Sequence, residues 1–123
     1  MNNNFENLNS RENFGLRKNF GLPGRTIGEL IEYFKSKPEV EKVLIYGSRA
    51  KGNYKTGSDI DFAVWIDDES IKKGVGAYEL RIEAELDELE TPYMFDVIDY
   101  KALTHAGIKQ SIDRDGKVFY ERR

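Results

Sequence analysis

Two aspartates at the start of an apolar segment are the residues best suited to chemistry. Asp59 and Asp61 alternate with Ile60 and Phe62. In a β-strand, residues two apart point to the same face, with Cα atoms about 7 Å apart, so the two carboxylates would project together. Their like charges repel, and burial makes that repulsion more costly. Because a cation removes the conflict and Mg²⁺ prefers carboxylate and phosphate oxygens, the pair predicts a magnesium site.

A third carboxylate lies later in the chain. Asp96 interrupts the apolar run from Phe95 to Ile98, where a hydrophobic residue would be expected. If that strand pairs beside the strand of Asp61, Asp96 can face the same way. Three carboxylates can hold two metal ions that clamp the attacking and leaving oxygens of an in-line displacement.

The residues that end the preceding strand could bind phosphate. Gly47 ends the strand, and Ser48 can open a short helix. Free backbone N–H groups and a serine hydroxyl at a helix start bind phosphate well. Arg49 and Lys51 add positive charge beside the place where a triphosphate would lie.

Neither pattern is specific by itself, since Gly-Ser is a common turn and an isolated Asp-x-Asp is more often a strand edge in water. The combination is more informative. Gly-Ser, ten residues, then Asp-x-Asp should occur by chance in on the order of one chain per several hundred of this length. The stretch from Gly47 to Gly52 is followed by Asn53 and Tyr54 rather than Lys-Ser/Thr, so it is not a Walker A loop.

Helices and strands alternate around these residues. The sequence predicts a helix capped by Thr26 and ended by Pro38, a turn at 67–70, and the following further elements: strands at about 40–46, 59–66, 93–99 and 117–120, and helices at about 75–89 and 104–114. Residues 1–22 are rich in asparagine and predict a flexible arm, and 23–123 a single domain.

The composition limits the function classes. The 123 residues include 39% hydrophobic and 33% charged side chains and no cysteine, which excludes a thiol nucleophile and a cysteine metal site. The net charge is −3 with no basic stripe, which disfavours direct nucleic-acid binding. No apolar run is long enough to cross a membrane and no signal peptide is evident, so we expect a cytoplasmic protein.

The sequence resembles the DNA polymerase β-like nucleotidyltransferases in two segments, YGSRAKG at 46–52 and SDIDF at 58–62. Size and element order are similar to the minimal nucleotidyltransferase branch, in particular the antitoxins paired with HEPN-domain toxins. The resemblance covers about Thr26 to Tyr120. It implies an α+β, two-layer nucleotidyltransferase fold with a mixed sheet of about four strands flanked by helices.

The same resemblance implies residue roles. Three carboxylates would be catalytic and would hold two Mg²⁺ ions: Asp59, Asp61 and Asp96. The third of them would hold the catalytic metal and help to deprotonate the acceptor hydroxyl. The nucleotide-binding positions would be Gly47 and Ser48, with Arg49 and Lys51 as further phosphate contacts.

The resemblance implies transfer of AMP from ATP to a tyrosine hydroxyl of a cognate HEPN-domain toxin, which silences its RNase activity. Two alternatives stay open. The acceptor could be a small molecule or a tRNA end, although such enzymes usually add a domain for which this chain has no room. Otherwise the chain could neutralise its toxin by binding and occlusion alone, in which case substitution of the aspartates would have no effect.

Overall fold

The computed structural model describes residues 19–74 and 76–122. Within them the chain forms five α-helices and four strands, in this order: α1 (Gly24–Lys35), β1 (Val40–Tyr46), α2 (Gly47–Lys51), β2 (Ile60–Ile66), α3 (Asp68–Lys72), α4 (Tyr78–Asp87), β3 (Phe95–Asp99), α5 (Ala106–Asp115) and β4 (Lys117–Glu121). A 3₁₀ turn, Tyr100–Ala102, joins β3 to α5.

The strands form one mixed sheet in the order β3-β2-β1-β4. Strand β1 is antiparallel to both of its neighbours, and β2 is parallel to β3. A parallel pair needs a long crossover connection, which α3 and α4 provide. The expected fold of about four mixed strands flanked by helices is confirmed.

Alternation along the strands separates two faces of the sheet. Ile60, Phe62 and Val64 of β2 are fully buried and belong to the main core, with Leu30 and Phe34 of α1. The rings of Phe34 and Phe62 meet edge to face at 5.4 Å between centroids. The opposite face has a smaller buried cluster of three residues, Tyr46, Ala63 and Ile112, and the last of these comes from α5.

Two local predictions are wrong. Helix α1 begins at Gly24 after Pro23, so Thr26 lies inside the first turn, where it is buried, and caps nothing. Proline has a fixed φ and no N–H, which suits a residue at the entrance of a helix. The predicted turn at 67–70 contains the start of α3, where the Asp67 carboxylate accepts a hydrogen bond of 2.7 Å from the Ser70 amide. Aspartate is a preferred N-cap residue, so this signal was present in the sequence.

The other elements match within a few residues, and the largest shift is at α4. It begins at Tyr78, after Ala77 in a left-handed conformation (φ 52°), instead of near residue 75. Residues 1–18 of the predicted arm lie outside the described residues. Residues 19–22 form a turn, and Leu22 is fully buried in the main core. In the described part of the chain, the helices are all too short or too polar to cross a bilayer.

Candidate active site

Three neighbouring strands place three polar side chains in one row. Tyr46 of β1 is the register partner of Asp61 in β2, and Asp61 is the register partner of Asp96 in β3. Register partners in adjacent strands are about 5 Å apart and point to the same face. Asp61 and Asp96 therefore lie side by side on the face opposite the main core, as expected if β3 pairs beside β2.

The carboxylates differ in their exposure to solvent. Asp61 is half-buried, whereas Asp59, in the loop before β2, and Asp96 are exposed. Within residues 19–74 and 76–122, no three side chains of the His, Cys, Asp or Glu type are close enough to form a ready metal cluster. Bringing three anions together without a cation is unfavourable, and two of these side chains are free to stay in water.

Among the three aspartates, Asp61 is distinguished by a raised pKa. Burial, followed by the charges of Asp96 and Asp59, raises its pKa to about 6, while the charge of Arg49 opposes that shift. The pKa of Tyr46 is also raised, mainly by burial and then by the charges of Asp96 and Asp61. This end of the sheet therefore has a negative potential that a divalent cation would relieve. Oxygen donors in this number suit Mg²⁺, so the residues fit the expected ion.

Gly47 allows the chain to turn closely over Asp61. Its φ is +72°, a conformation that costs other residues about 1 kcal/mol or more. A Cβ at this position would overlap Oδ2 of Asp61. The turn from β1 into α2 therefore passes directly over the central carboxylate, so any phosphate held by Gly47 and Ser48 would lie beside it.

The two predicted basic phosphate contacts have different environments. Lys51 is exposed at the end of α2, and its charge contributes to the lowered pKa of Asp115 in α5, after the larger effect of the Arg114 hydrogen bond. Arg49 is only 3% exposed, and it donates hydrogen bonds to the main-chain carbonyls of Ser58 and Phe20. The spacing of the sequence contains no signal that separates these two environments.

Comparison with known families agrees with this geometry. The family model described as polymerase beta, nucleotidyltransferase, matches residues 28–123. The match covers most of the chain and includes the Gly-Ser turn and all three aspartates. The protein belongs to this nucleotidyltransferase family, and the resemblance noted in the sequence is confirmed.

A curated relative is more specific. The chain is 34% identical over 92 residues to protein adenylyltransferase MntA of Aphanizomenon flos-aquae (strain 2012/KM1/D3). The alignment covers 68% of this chain. The chain spans 59% of the length of that relative.

Two solved structures share the fold. One is a toxin–antitoxin complex with AMP-PNP, with a TM-score of 0.53, 19% identity, and coverage of 79% of this chain and 74% of the other. The second is a mutant MntA–HpeT toxin–antitoxin pair, with a TM-score of 0.50, 16% identity and the same two coverages, 79% and 74%. At these identities the comparison concerns the fold alone.

Proposed function

We propose that this chain is the antitoxin of a toxin–antitoxin pair and transfers AMP from ATP to a tyrosine hydroxyl of a cognate HEPN RNase toxin in the cytoplasm, which neutralises the toxin. The observation that carries the proposal is the pairing of Asp61 with Asp96 on adjacent strands, directly under the turn at Gly47. The adenylyltransferase relative and the toxin–antitoxin structure with AMP-PNP support the choice of nucleotide and partner.

The carboxylates at 59, 61 and 96 would hold two Mg²⁺ ions. The rise in the pKa of Asp61 reflects burial and the negative charge of Asp96 and Asp59, and this is the field that a cation would neutralise. When bound, the ions would balance the charge that builds on the α-phosphate and clamp the attacking and leaving oxygens.

The residues of the chain have separate tasks in this reaction. The backbone N–H of Gly47 and the Ser48 hydroxyl would orient the β- and γ-phosphates, with Lys51 as a further contact. Asp96, exposed at the edge strand, would accept the proton of the tyrosine hydroxyl. The tyrosine oxygen then forms a bond to the α-phosphorus as the bond from phosphorus to the bridging oxygen of the β-phosphate breaks, and pyrophosphate leaves.

Label transfer tests the proposal. The protein and the partner that copurifies with it are incubated with Mg²⁺ and ATP labelled at the α- or the γ-phosphate. We expect the partner band to gain label from the α-position and none from the γ-position. Label from the γ-phosphate would indicate a kinase and contradict the proposal. Label in a small hydroxyl compound would contradict the proposed protein acceptor.

Asp59→Asn is the informative variant and Asp87→Asn is its matched control, since Asp87 is exposed at the end of α4. Label transfer should be lost in the first and unchanged in the second. If Asp59→Asn and Asp96→Asn both keep full neutralisation of the toxin, the chain acts by occlusion and transfer is not its mechanism.

A further inference from the structure

The environment of Arg49 differs from the one expected of a phosphate contact. Its Nε and Nη2 both donate to the carbonyl of Ser58, at 3.2 and 3.0 Å, and its Nη1 donates to the carbonyl of Phe20 at 2.9 Å. All of its hydrogen bonds within the described residues are therefore to the main chain. Only 3% of the surface of Arg49 is exposed, so the guanidinium lies in the interior of the protein.

Aromatic rings complete this environment. The Arg49 guanidinium carbon lies 5.1 Å from the centre of the Tyr54 ring and 5.2 Å from that of Tyr93. Desolvation of a cation is costly, and contacts with ring faces and carbonyl oxygens offset part of that cost. The Tyr54 ring also lies against Gly21, where a Cβ would overlap it.

The segments joined in this way are the ones that support the carboxylates. Ser58 immediately precedes Asp59, and Tyr93 lies in the segment that leads into β3 and Asp96. The Ile60 amide donates to the Met94 carbonyl at 2.9 Å, which ties the starts of β2 and β3 together. Arg49 itself belongs to α2, the helix that begins at the Gly47 turn.

We infer that Arg49 is a positioning residue for the carboxylate site: it holds the loop before Asp59 and the segment before Asp96 against α2, and it does not contact the nucleotide. This inference rests on the proposed function for its consequence in catalysis. Lysine cannot replace arginine in this role, because an ammonium group is a single point of charge and lacks the planar fork that reaches two carbonyls in different directions.

Hydrogen exchange of the metal-free protein tests the inference without any assay of activity. In Arg49→Lys, which keeps the charge, we expect the amides of Ser58 and Ile60 to exchange about 10-fold faster, since loss of the hydrogen bonds from Arg49 lowers the free energy of local opening. Amides in the middle of β1 should be unchanged. Arg25→Lys is the matched control, since the Arg25 side chain is 89% exposed on α1.

Titration with Mn²⁺, followed by electron paramagnetic resonance, measures the effect on the site. Loss of residues that orient metal ligands costs roughly 10–100-fold in metal affinity, and we expect Arg49→Lys to lie in that range while Arg25→Lys is unchanged. Tyr54→Leu keeps all hydrogen bonds of Arg49 and should weaken binding by less than about 10-fold. It serves as the test variant if Arg49→Lys fails to fold.

Unchanged exchange of the 58–60 segment in Arg49→Lys overturns the inference. A raised KM for ATP with unchanged exchange and unchanged Mn²⁺ affinity also overturns it, since that result indicates direct contact with phosphate. If the wild-type protein transfers no label to any partner, the proposed function fails, whereas the exchange measurement still decides the role of Arg49.

Discussion

The two faces of the sheet use the same strands for opposite purposes. Along β2, Ile60, Phe62 and Val64 face α1 and the main core and are fully buried. On the other side, Asp61 and Trp65 are only half-buried, and the cluster beneath α5 has just three buried residues. One face is closed by apolar packing, and the other is left open at its carboxylate end.

This difference shows where the fold accepts an unfavourable charge. Burial of the apolar face stabilises the fold in proportion to the area buried. The carboxylate face stabilises it less, because burial and like charges make the ionised form of Asp61 unfavourable and raise its pKa to about 6. Perturbed carboxylates of this kind are concentrated at functional sites, so substitutions on the two faces should separate activity from stability.

Substitution of the central carboxylate should change activity most. Asp61→Asn should lower label transfer by about 10³-fold or more, because it removes the central carboxylate of the proposed metal site. Its free energy of unfolding at pH 7 should be equal to that of the wild type or higher. Label transfer and urea unfolding measure the two quantities, and a destabilised Asp61→Asn with normal transfer would reverse the assignment of this face.

On the apolar face, substitution should lower stability in the first place. Phe62→Ala removes a fully buried ring that packs against Phe34, and it should lower the free energy of unfolding by about 3–5 kcal/mol. Trp65→Ala is the comparison on the other face of β2. Its ring is half-buried and stacks on Tyr100 at 4.2 Å, so a loss of about 2 kcal/mol is expected. Equal losses in urea unfolding would contradict the difference between the faces.

Gly47→Ala tests the close approach at the site. Alanine would have to adopt the positive φ of Gly47, and its Cβ would overlap the Asp61 carboxylate. Transfer should therefore fall about 100-fold, because the carboxylate is misplaced. Gly52→Ala is the matched control, since Gly52 also has a positive φ of 87° but has nothing near its Cβ position. It should lose only about 1 kcal/mol of stability. If both variants lose transfer equally, backbone strain and not the contact with Asp61 is responsible.

A weaker effect is expected on the pH dependence of stability in the absence of metal. The pKa of Asp61 is about 6 in the folded protein against an ordinary 3.8, so the folded state binds more protons between these values and stability rises as the pH falls from 7 towards 4. The shift corresponds to about 3 kcal/mol, which solvent screening of a half-exposed group reduces to about 1 kcal/mol.

Urea unfolding of the wild type and of Asp61→Asn at pH 7 and pH 5, both in EDTA, isolates this contribution. The comparison with the variant is needed because Asp67 and Glu85 have lowered pKa values, mainly through hydrogen bonds from Ser70 and Tyr33, and they act in the opposite direction. A difference between wild type and variant that does not change with pH would contradict the cause assigned to Asp61.

Much of the sheet could be predicted because its strands have strong local signals. The apolar run at 43–46 and the alternation after Asp59 locate β1 and β2 within one residue. Helix starts were less certain, since a cap at Thr26 and an entrance at Pro23 are both compatible with the same residues. The burial of Arg49 could not be predicted, because Phe20, Ser58 and Tyr93 come from segments far apart in the chain.

Local sequence patterns identify the family and indicate the chemistry that we propose, because the Gly-Ser turn, the aspartate pair and Asp96 have a limited set of uses. Which of these residues meet depends on the tertiary structure. The parallel register that sets Asp61 beside Asp96 depends on a crossover of more than twenty residues between β2 and β3. The orientation of the Arg49 side chain depends on contacts with three separate segments, at Phe20, Ser58 and Tyr93. Local spacing contains no information about either arrangement, since both arise only when distant segments share one core.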